Sequence, residues 1–461
     1  MEKIILNGND LTVAQISAIA RDLVTVEISE KAEKRVIDAR KLVFDLVDAD
    51  FPIYGFNTGV GWNKDKKVFK EFFEQYNCNL IRSHSIGISP WATREQCRAI
   101  MTARLNAMLT GCCGTAPEIP KMYAQMLNRR IHPLIPMRGS VGQADIGLLS
   151  HIGLAIIGEG QVEFGGNIIS SSEAFELTGL KPLSLGPKDG LAIVSSNAVG
   201  AGHGALLLND LANFLKIADA IYALSLEGFN GNVTPLDDRT HQLRRYKGQR
   251  ETAALVRGYL EGSFVYAPDR HKAVHDPLCY RNVPQIHGAV REMLDYAKER
   301  LEIHLNTTDD NPCLLLEERT ILPSANFEPL NWVLGFESLS VALSHMSKAS
   351  CLRLIKLSDP TFTELPRFLS PSVEVLGFCT VQKTFTALDA EIRHLCNPAS
   401  MDTFSLAGGM EDMSTNAPYV VQKLDKILDN LRYIFALELI HAAQAVDYRK
   451  GRILGKYCGA V

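Results

Sequence analysis

The sequence predicts an all-α protein, a long central helical bundle joined to a smaller mixed N-terminal region, and three observations carry that expectation. The segments "PQIHGAVREMLDYAKERLEIHLN", "NWVLGFESLSVALSHMSKASCLRLIKL" and "YVVQKLDKILDNLRYIFALELIHAAQAV" each repeat apolar residues at three- and four-residue spacing over at least 20 residues. All three lie in the second half of the chain, and helices of that length suit an elongated bundle. The first half carries more Gly, Pro and short segments. At 461 residues the chain can bury a large core and suits two or three domains. The change of texture places a boundary near Leu191, with residues 1–190 as a domain of active-site loops and 191–461 as the bundle.

Local chemistry sets the individual elements. In "IILNGNDLTVAQISAIARDL" a short strand precedes Asp10 and Thr12, either of which can cap the helix that follows. "GSVGQADIGLLSHIG", from Gly139 to Gly153, reads as a Gly-rich turn feeding an apolar helix. "SSNAVGAGHG" puts Asn197 at the start of a helix of small residues. The sequence shows no internal repeat, low-complexity segment or disordered linker.

Composition excludes several classes of function. A net charge of −4 gives no basic excess for nucleic acid or an anionic membrane, and Arg244-Arg245-Tyr246-Lys247 reads as solvated surface. The N-terminal "MEKIILNGND" lacks a signal pattern, and apolar runs such as "GLAIIG" are too short to span a bilayer. The ten cysteines are scattered, with one vicinal pair at Cys112-Cys113 and no zinc-type spacing. Free thiols in a reducing cytoplasm are expected, with no metal.

Functional residues are sought among polar groups that a core would not choose. "YGFNTGVGW" offers the Tyr54 phenol on a Gly-rich loop, and "NLIRSHSIG" holds Ser83-His84. Asn197 opens its helix, and "DPLCYRNVPQ" holds Tyr280 and Arg281. "SANFEP" holds Asn326, Phe327 and Glu328, and "GGMEDMSTN" holds Glu411 and Asp412. Each alone is more often a turn or a cap, and neither Gly-rich loop has phosphate-binding spacing.

Together and in this order, these pieces resemble the aromatic amino acid ammonia-lyase family, which includes histidine and phenylalanine ammonia-lyases. The matching pieces are "YGFNTGVG", "NLIRSH", "GSVG", "SSNA", "DDNP", "SANF", "NPASMD" and "MEDMS", and they run to about Gly451. The family often continues into a further helical tail, which this chain is expected largely to lack. The related fumarase and aspartase group fits less well, because its "GSS" signature loop is absent. The resemblance implies an all-α fold with a long central bundle. It also implies a homotetramer whose active sites combine residues from three subunits.

In that family an Ala-Ser-Gly tripeptide cyclises and loses water to form a methylidene-imidazolone, an electrophile that captures the substrate amine. Here the corresponding residues are Gln143-Ala144-Asp145. Ala144 has no hydroxyl to eliminate and Asp145 replaces the glycine, so the electrophile cannot form by the family route and no cofactor is expected. Two readings follow: an inactive homologue kept as a scaffold or regulator, or a lyase whose substrate needs no electrophile. Retention of Tyr54, His84, Asn197, Arg281 and Glu411 at family catalytic or binding positions favours the second.

A primary ammonium has N–H protons more acidic than its β C–H, and once deprotonated it departs poorly. A quaternary trimethylammonium has no N–H to lose, leaves as neutral trimethylamine, and has no lone pair with which to attack an electrophile. Ser83-His84 and Glu411-Asp412 resemble the histidine-specific members, so an imidazole amino acid betaine is the expected substrate. The resemblance extends to a branch that lacks the electrophile and turns ergothioneine into thiourocanate and trimethylamine. Hercynine, the same betaine without sulfur, stays open.

The resemblance implies Tyr54 as the base for the β-proton and Arg281 as the carboxylate fork, with Asn197 adding a hydrogen bond. Asp145 stands as a counter-charge for the trimethylammonium, or alternatively as a backbone cap. Phe327, Tyr54 or Tyr280 would add cation–π contacts. The usual Tyr of a family "DPYSLR" is Leu278 here, and Glu328 replaces a common His or Gln. Cys379 matches a substrate-lining position. Lys383, four residues on, would share its helical face and stabilise charge on the ring, or else serve as a surface ion-pair partner.

Overall fold

Helices dominate the chain, as expected, and its strands are only two to four residues long. The computed structural model describes residues 3–47, 52–267 and 273–460. The three long periodic segments form the helices Val283–Leu305, Leu330–Leu357 and Ala417–Asp447. The first helix, Val13–Arg21, starts at Thr12, and Asp10 is instead held by Asn7. The Thr12 hydroxyl accepts the Gln15 N–H at 3.2 Å while the Gln15 side chain accepts the Thr12 N–H at 2.9 Å. This reciprocal capping box satisfies two amides that the first turn would leave unpaired.

A fourth long helix, Ala198–Phe229, has only a weak periodic signal because it is apolar on nearly every side. The stretch Asp189–Phe229 is long and apolar enough to cross a membrane by length and composition, contrary to the expectation that the apolar runs are too short. Its Gly and Ala residues disguise the run in the sequence. The apolar window is entirely buried in protein, as the helix of a core must be.

The chain forms two compact units, each assembled from separated stretches. The first comprises Met1–Asn209, Lys298–Leu334 and Pro398–Gln422, and the second Asp210–Ala297, Gly335–Asn397 and Lys423–Val461. A single division near Leu191 stays a proposal drawn from texture along the chain, which does not reveal which distant segments return to one unit.

The strands among the described residues all lie in the first unit. Lys3–Leu6 pairs in parallel with Thr25–Ile28, Lys3 opposite Thr25. Pro136–Arg138 pairs antiparallel with Ile88–Trp91 and so fixes the chain immediately before the turn at Gly139. A hairpin of Cys313–Leu315 and Thr320–Leu322 does the same for the segment that follows it, Pro323 to Glu328.

In the second unit the core holds charges as well as hydrocarbon. Arg353 and Glu438 are fully buried, with Nε and Nη2 donating to the two carboxylate oxygens at 2.5 and 2.7 Å. Ser350 donates to the same carboxylate at 2.5 Å, and Arg353 donates to the Cys279 carbonyl at 3.2 Å. The guanidinium also lies 5.4 Å from the centre of the Tyr222 ring. Removing one partner of such a pair strands the other charge in a low-dielectric core. Glu438→Ala is expected to destabilise the protein by about 3–5 kcal/mol. The check is a lower urea midpoint at an unchanged denaturant slope.

Candidate active site

The first unit encloses a cavity of about 900 Å³, large enough for an amino-acid-sized ligand. Its wall comes from the Tyr54 loop, the end of the helix Phe73–His84, the turn at Gln143 and Ala144, the Ser324 to Glu328 segment, and the loop Met410 to Met413. Of the site residues expected from sequence, Tyr54, His84, Phe327 and Glu411 line this cavity together.

Tyr54 is positioned by a loop that turns at Gly55 and Gly61, both at positive φ where a Cβ would be strained. The Gly61 N–H donates to the phenol oxygen at 2.9 Å. Burial raises the Tyr54 pKa above its usual 10, the Gly61 bond opposes this, and the Glu411 carboxylate raises it further. The phenol is therefore protonated at neutral pH before any ligand arrives.

His84 ends its helix, and its Nδ1 lies 2.8 Å from the Leu80 carbonyl one turn back. A carbonyl only accepts, so in the neutral imidazole Nδ1 carries the proton and Nε2 has the lone pair. Glu411 sits in a loop closed by an antiparallel bridge to Leu406. Nε2 and the Glu411 carboxylate are thus two acceptors on one cavity wall.

Of the two expectations for Asp145, counter-charge or backbone cap, the structure shows the cap and corrects the counter-charge. Its carboxylate is fully buried, absent from the cavity wall, and accepts from Ser140 at 2.7 Å and from the Val199 and Gly200 N–H groups at 3.0 and 3.2 Å. It caps the helix Ala198–Phe229 from a distant segment, so its charge serves that helix terminus and not a ligand. The turn before it places Ala144 at φ 56° in the cavity wall, and the Asp145 N–H donates to the Ser196 carbonyl at 2.6 Å.

Asn197 does not line the cavity. Its side-chain Nδ2 donates to the Phe327 carbonyl and its backbone N–H to Asp309 at 2.9 Å. One of its two amide N–H groups is engaged by Phe327, and the buried Oδ1 meets no donor among the described residues. Asn197 therefore fixes Phe327 and Glu328.

The remaining expected residues belong to the second unit. The Tyr280 ring is fully buried, stacks on Phe229 at 4.0 Å and shares a hydrogen bond with Ser225 at 3.2 Å. Enclosed in that core cluster, it is not available as a cation–π surface. Arg281 is half-buried, with Nε donating to the Asp276 carbonyl at 3.0 Å. Lys383 is exposed in the first turn of Val381–Leu395, whereas Cys379 precedes that helix. The shared helical face expected for Cys379 and Lys383 therefore does not exist, because the turn at Cys379 has not yet become helical.

Sequence reasoning missed the anchors behind the wall. Asp309 accepts from the Ser196 hydroxyl at 2.6 Å and pairs with Arg104 at 3.3 Å, and Asp310 pairs with Lys188. It also missed the bond from Gln143 Nε2 to Glu328 at 2.7 Å. The signal available was "DDNP", two adjacent acids before Asn-Pro, but nothing in a single sequence names their partners.

The wall makes a prediction about Asp145. Burial raises its pKa to about 6 from 3.8. A carboxyl raised in the fold binds more protons folded than unfolded between these values, so it costs stability as pH rises through them, on the order of 2–3 kcal/mol. Relative to Asp145→Asn, the native protein is expected to lose stability from about pH 4 to 6 and hold a constant deficit above. Thermal melts of both proteins across that range check it, and a difference independent of pH contradicts it.

Residues 11–460 match the profile of the aromatic amino acid lyase family. Histidine ammonia-lyase of Alkaliphilus metalliredigens is 33% identical over 457 residues, 99% of this chain and 90% of that protein. The ergothioneine-degrading enzyme ergothionase from Treponema denticola, solved with desmethyl-ergothioneine sulfonic acid, superposes with a TM-score of 0.97. It is 47% identical, with coverage of 99% of this chain and 92% of that one. Histidine ammonia-lyase from Trypanosoma cruzi gives a TM-score of 0.90 at 27% identity, covering 100% of this chain and 87% of that one.

Proposed function

The chain belongs to the aromatic amino acid lyase family, and from that premise we propose that it eliminates trimethylamine from an imidazole amino acid betaine, ergothioneine in preference to hercynine, without a methylidene-imidazolone. The observation that carries this reading is the tripeptide Gln143-Ala144-Asp145. Its residues do not fit the electrophile. Ala144 has no hydroxyl to lose, the Asp145 N–H is committed to Ser196, and the Asp145 side chain holds a helix terminus. Similarity to the Treponema denticola ergothionase supports the same substrate for this chain.

The ring end supports the thioimidazole. In its thione form that ring presents two N–H donors, which suit the two acceptors His84 Nε2 and Glu411. The neutral imidazole of hercynine presents one donor and one acceptor, leaving one wall group unmatched. Tyr54 takes the β-proton, the C–H pair becomes the new double bond, and the C–N pair leaves with trimethylamine. The base must first be ionised, and the Gly61 N–H is the donor that stabilises the phenolate.

Arg281 binds the substrate carboxylate in this proposal, and Lys383 stabilises charge developing on the ring or sulfur. Both reach the cavity from neighbouring copies of a homotetramer. The same proposal places the protein in the cytoplasm, where its ten free cysteines stay reduced.

The test offers ergothioneine, hercynine and histidine in parallel, following trimethylamine, ammonia and the absorbance of a conjugated acrylate. Trimethylamine is expected fastest from ergothioneine, with no ammonia from histidine. Tyr54→Phe is expected to bind ergothioneine but lower release by at least about 10²-fold. Because the Tyr54 pKa lies above 10, kcat/KM of the native enzyme should still be rising at pH 9. Release from none of the three compounds overturns the proposal.

A further inference from the structure

With Asp145 committed to a helix, another group must face the quaternary nitrogen. Resting on the reading that the ligand is a betaine, we infer that Glu328 is the counter-charge for its trimethylammonium and that the bonds Glu328 already makes favour a quaternary over a primary ammonium.

The cavity wall carries four carboxylates, Asp65, Glu328, Glu411 and Asp412. Asp65 is largely solvent-exposed and pairs with Lys64 at 2.7 Å. Glu411 lies against Gly61, and with Asp412 beside it on the Met410 to Met413 loop it belongs to the ring end of the cavity. Glu328 stands elsewhere on the wall, beside Phe327 and across from Gln143 and Ala144. The Asn197 amide fixes the Phe327 carbonyl, which sets the backbone immediately before Glu328. The carboxylate itself is held at both oxygens, Oε1 by the Leu330 N–H at 3.0 Å and Oε2 by Gln143 Nε2 at 2.7 Å. An aromatic ring, a methyl group and a fixed negative charge are the surroundings a trimethylammonium needs.

The two held oxygens create the discrimination. Both donors are neutral, so they occupy lone pairs without cancelling the charge. A primary ammonium loses three hydrogen bonds to water on entry and must regain them from acceptors. Glu328 has a lone pair on each oxygen already taken. A trimethylammonium has no N–H to satisfy and asks only for charge and apolar contact. The residue at the first place of the tripeptide, Gln143, thereby contributes to specificity.

Charge also dictates the kinetic signature. The ammonium is cationic in the bound substrate and becomes neutral as the C–N bond breaks. Attraction to Glu328 is therefore greatest in the ground state and fades toward the transition state. Glu328→Gln should raise KM for ergothioneine by about tenfold and raise kcat with it, so that kcat/KM falls by much less than KM rises.

The decisive experiment measures binding by calorimetry on the full-length protein, with tetramethylammonium chloride, ergothioneine and 2-thiohistidine as probes. Glu328→Gln is expected to weaken tetramethylammonium about tenfold. Gln143→Ala, which frees one oxygen, is expected to tighten 2-thiohistidine relative to ergothioneine by at least about threefold. Unchanged tetramethylammonium affinity in Glu328→Gln, or an unchanged ratio in Gln143→Ala, overturns the inference. If Glu328→Gln does not fold, the native protein's preference for tetramethylammonium over uncharged tert-butanol decides, and no preference overturns it. Tetramethylammonium binding is independent of turnover, so a protein that releases no trimethylamine yet loses this binding on Glu328→Gln refutes the betaine substrate and not the cation site.

Discussion

Two buried carboxylates converge on one helix terminus, and the candidate site hangs from that convergence. Asp309 takes the N–H of Asn197 and the hydroxyl of Ser196, while Asp145 takes the N–H groups of Val199 and Gly200. The first turn of a helix leaves its amides unpaired and carries partial positive charge, so its N–H groups offset part of the cost of burying these carboxylates. Arg104 neutralises Asp309 in turn. The arrangement ties together three stretches far apart in sequence: the Gly139 turn, the Ser196 break, and the segment after Asp309.

The wall of the cavity follows from that knot. Because Asp145 is locked, Ala144 is held at positive φ in the cavity wall. Because Asn197 is locked, its amide holds Phe327, and Glu328 stands beside it facing Gln143. The tripeptide that builds an electrophile elsewhere in the family is thus, in this chain, a structural corner. An aspartate in place of glycine turns the corner inward to hold a helix, and Glu328, 185 residues beyond Gln143, stands in the cavity wall.

How much of this was legible in the sequence depended on whether the signal was local. The three amphipathic helices were readable because one face repeats every three to four residues, and Thr12 because its capping box lies within four residues. The helix Ala198–Phe229 was only half visible, since burial on all sides erases periodicity. Tyr54, His84, Phe327 and Glu411 were found through family motifs, and they do meet on one wall. Asp145 was misassigned because its position in the motif suggests a ligand, whereas the amides that claim it lie 54 residues on. Tyr280 was misassigned because sequence cannot show that Phe229 covers its ring.

The central claim is that this cavity performs elimination with ordinary side chains and no electrophilic group. Hydride from sodium borohydride adds to a methylidene-imidazolone and leaves ordinary peptide untouched. The direct measurement is the rate of trimethylamine release from ergothioneine before and after borohydride treatment, with the intact mass recorded on the same sample. The prediction is an unchanged rate and the mass of the uncyclised chain. Loss of activity together with a dehydrated Gln143-Ala144-Asp145 peptide would contradict it.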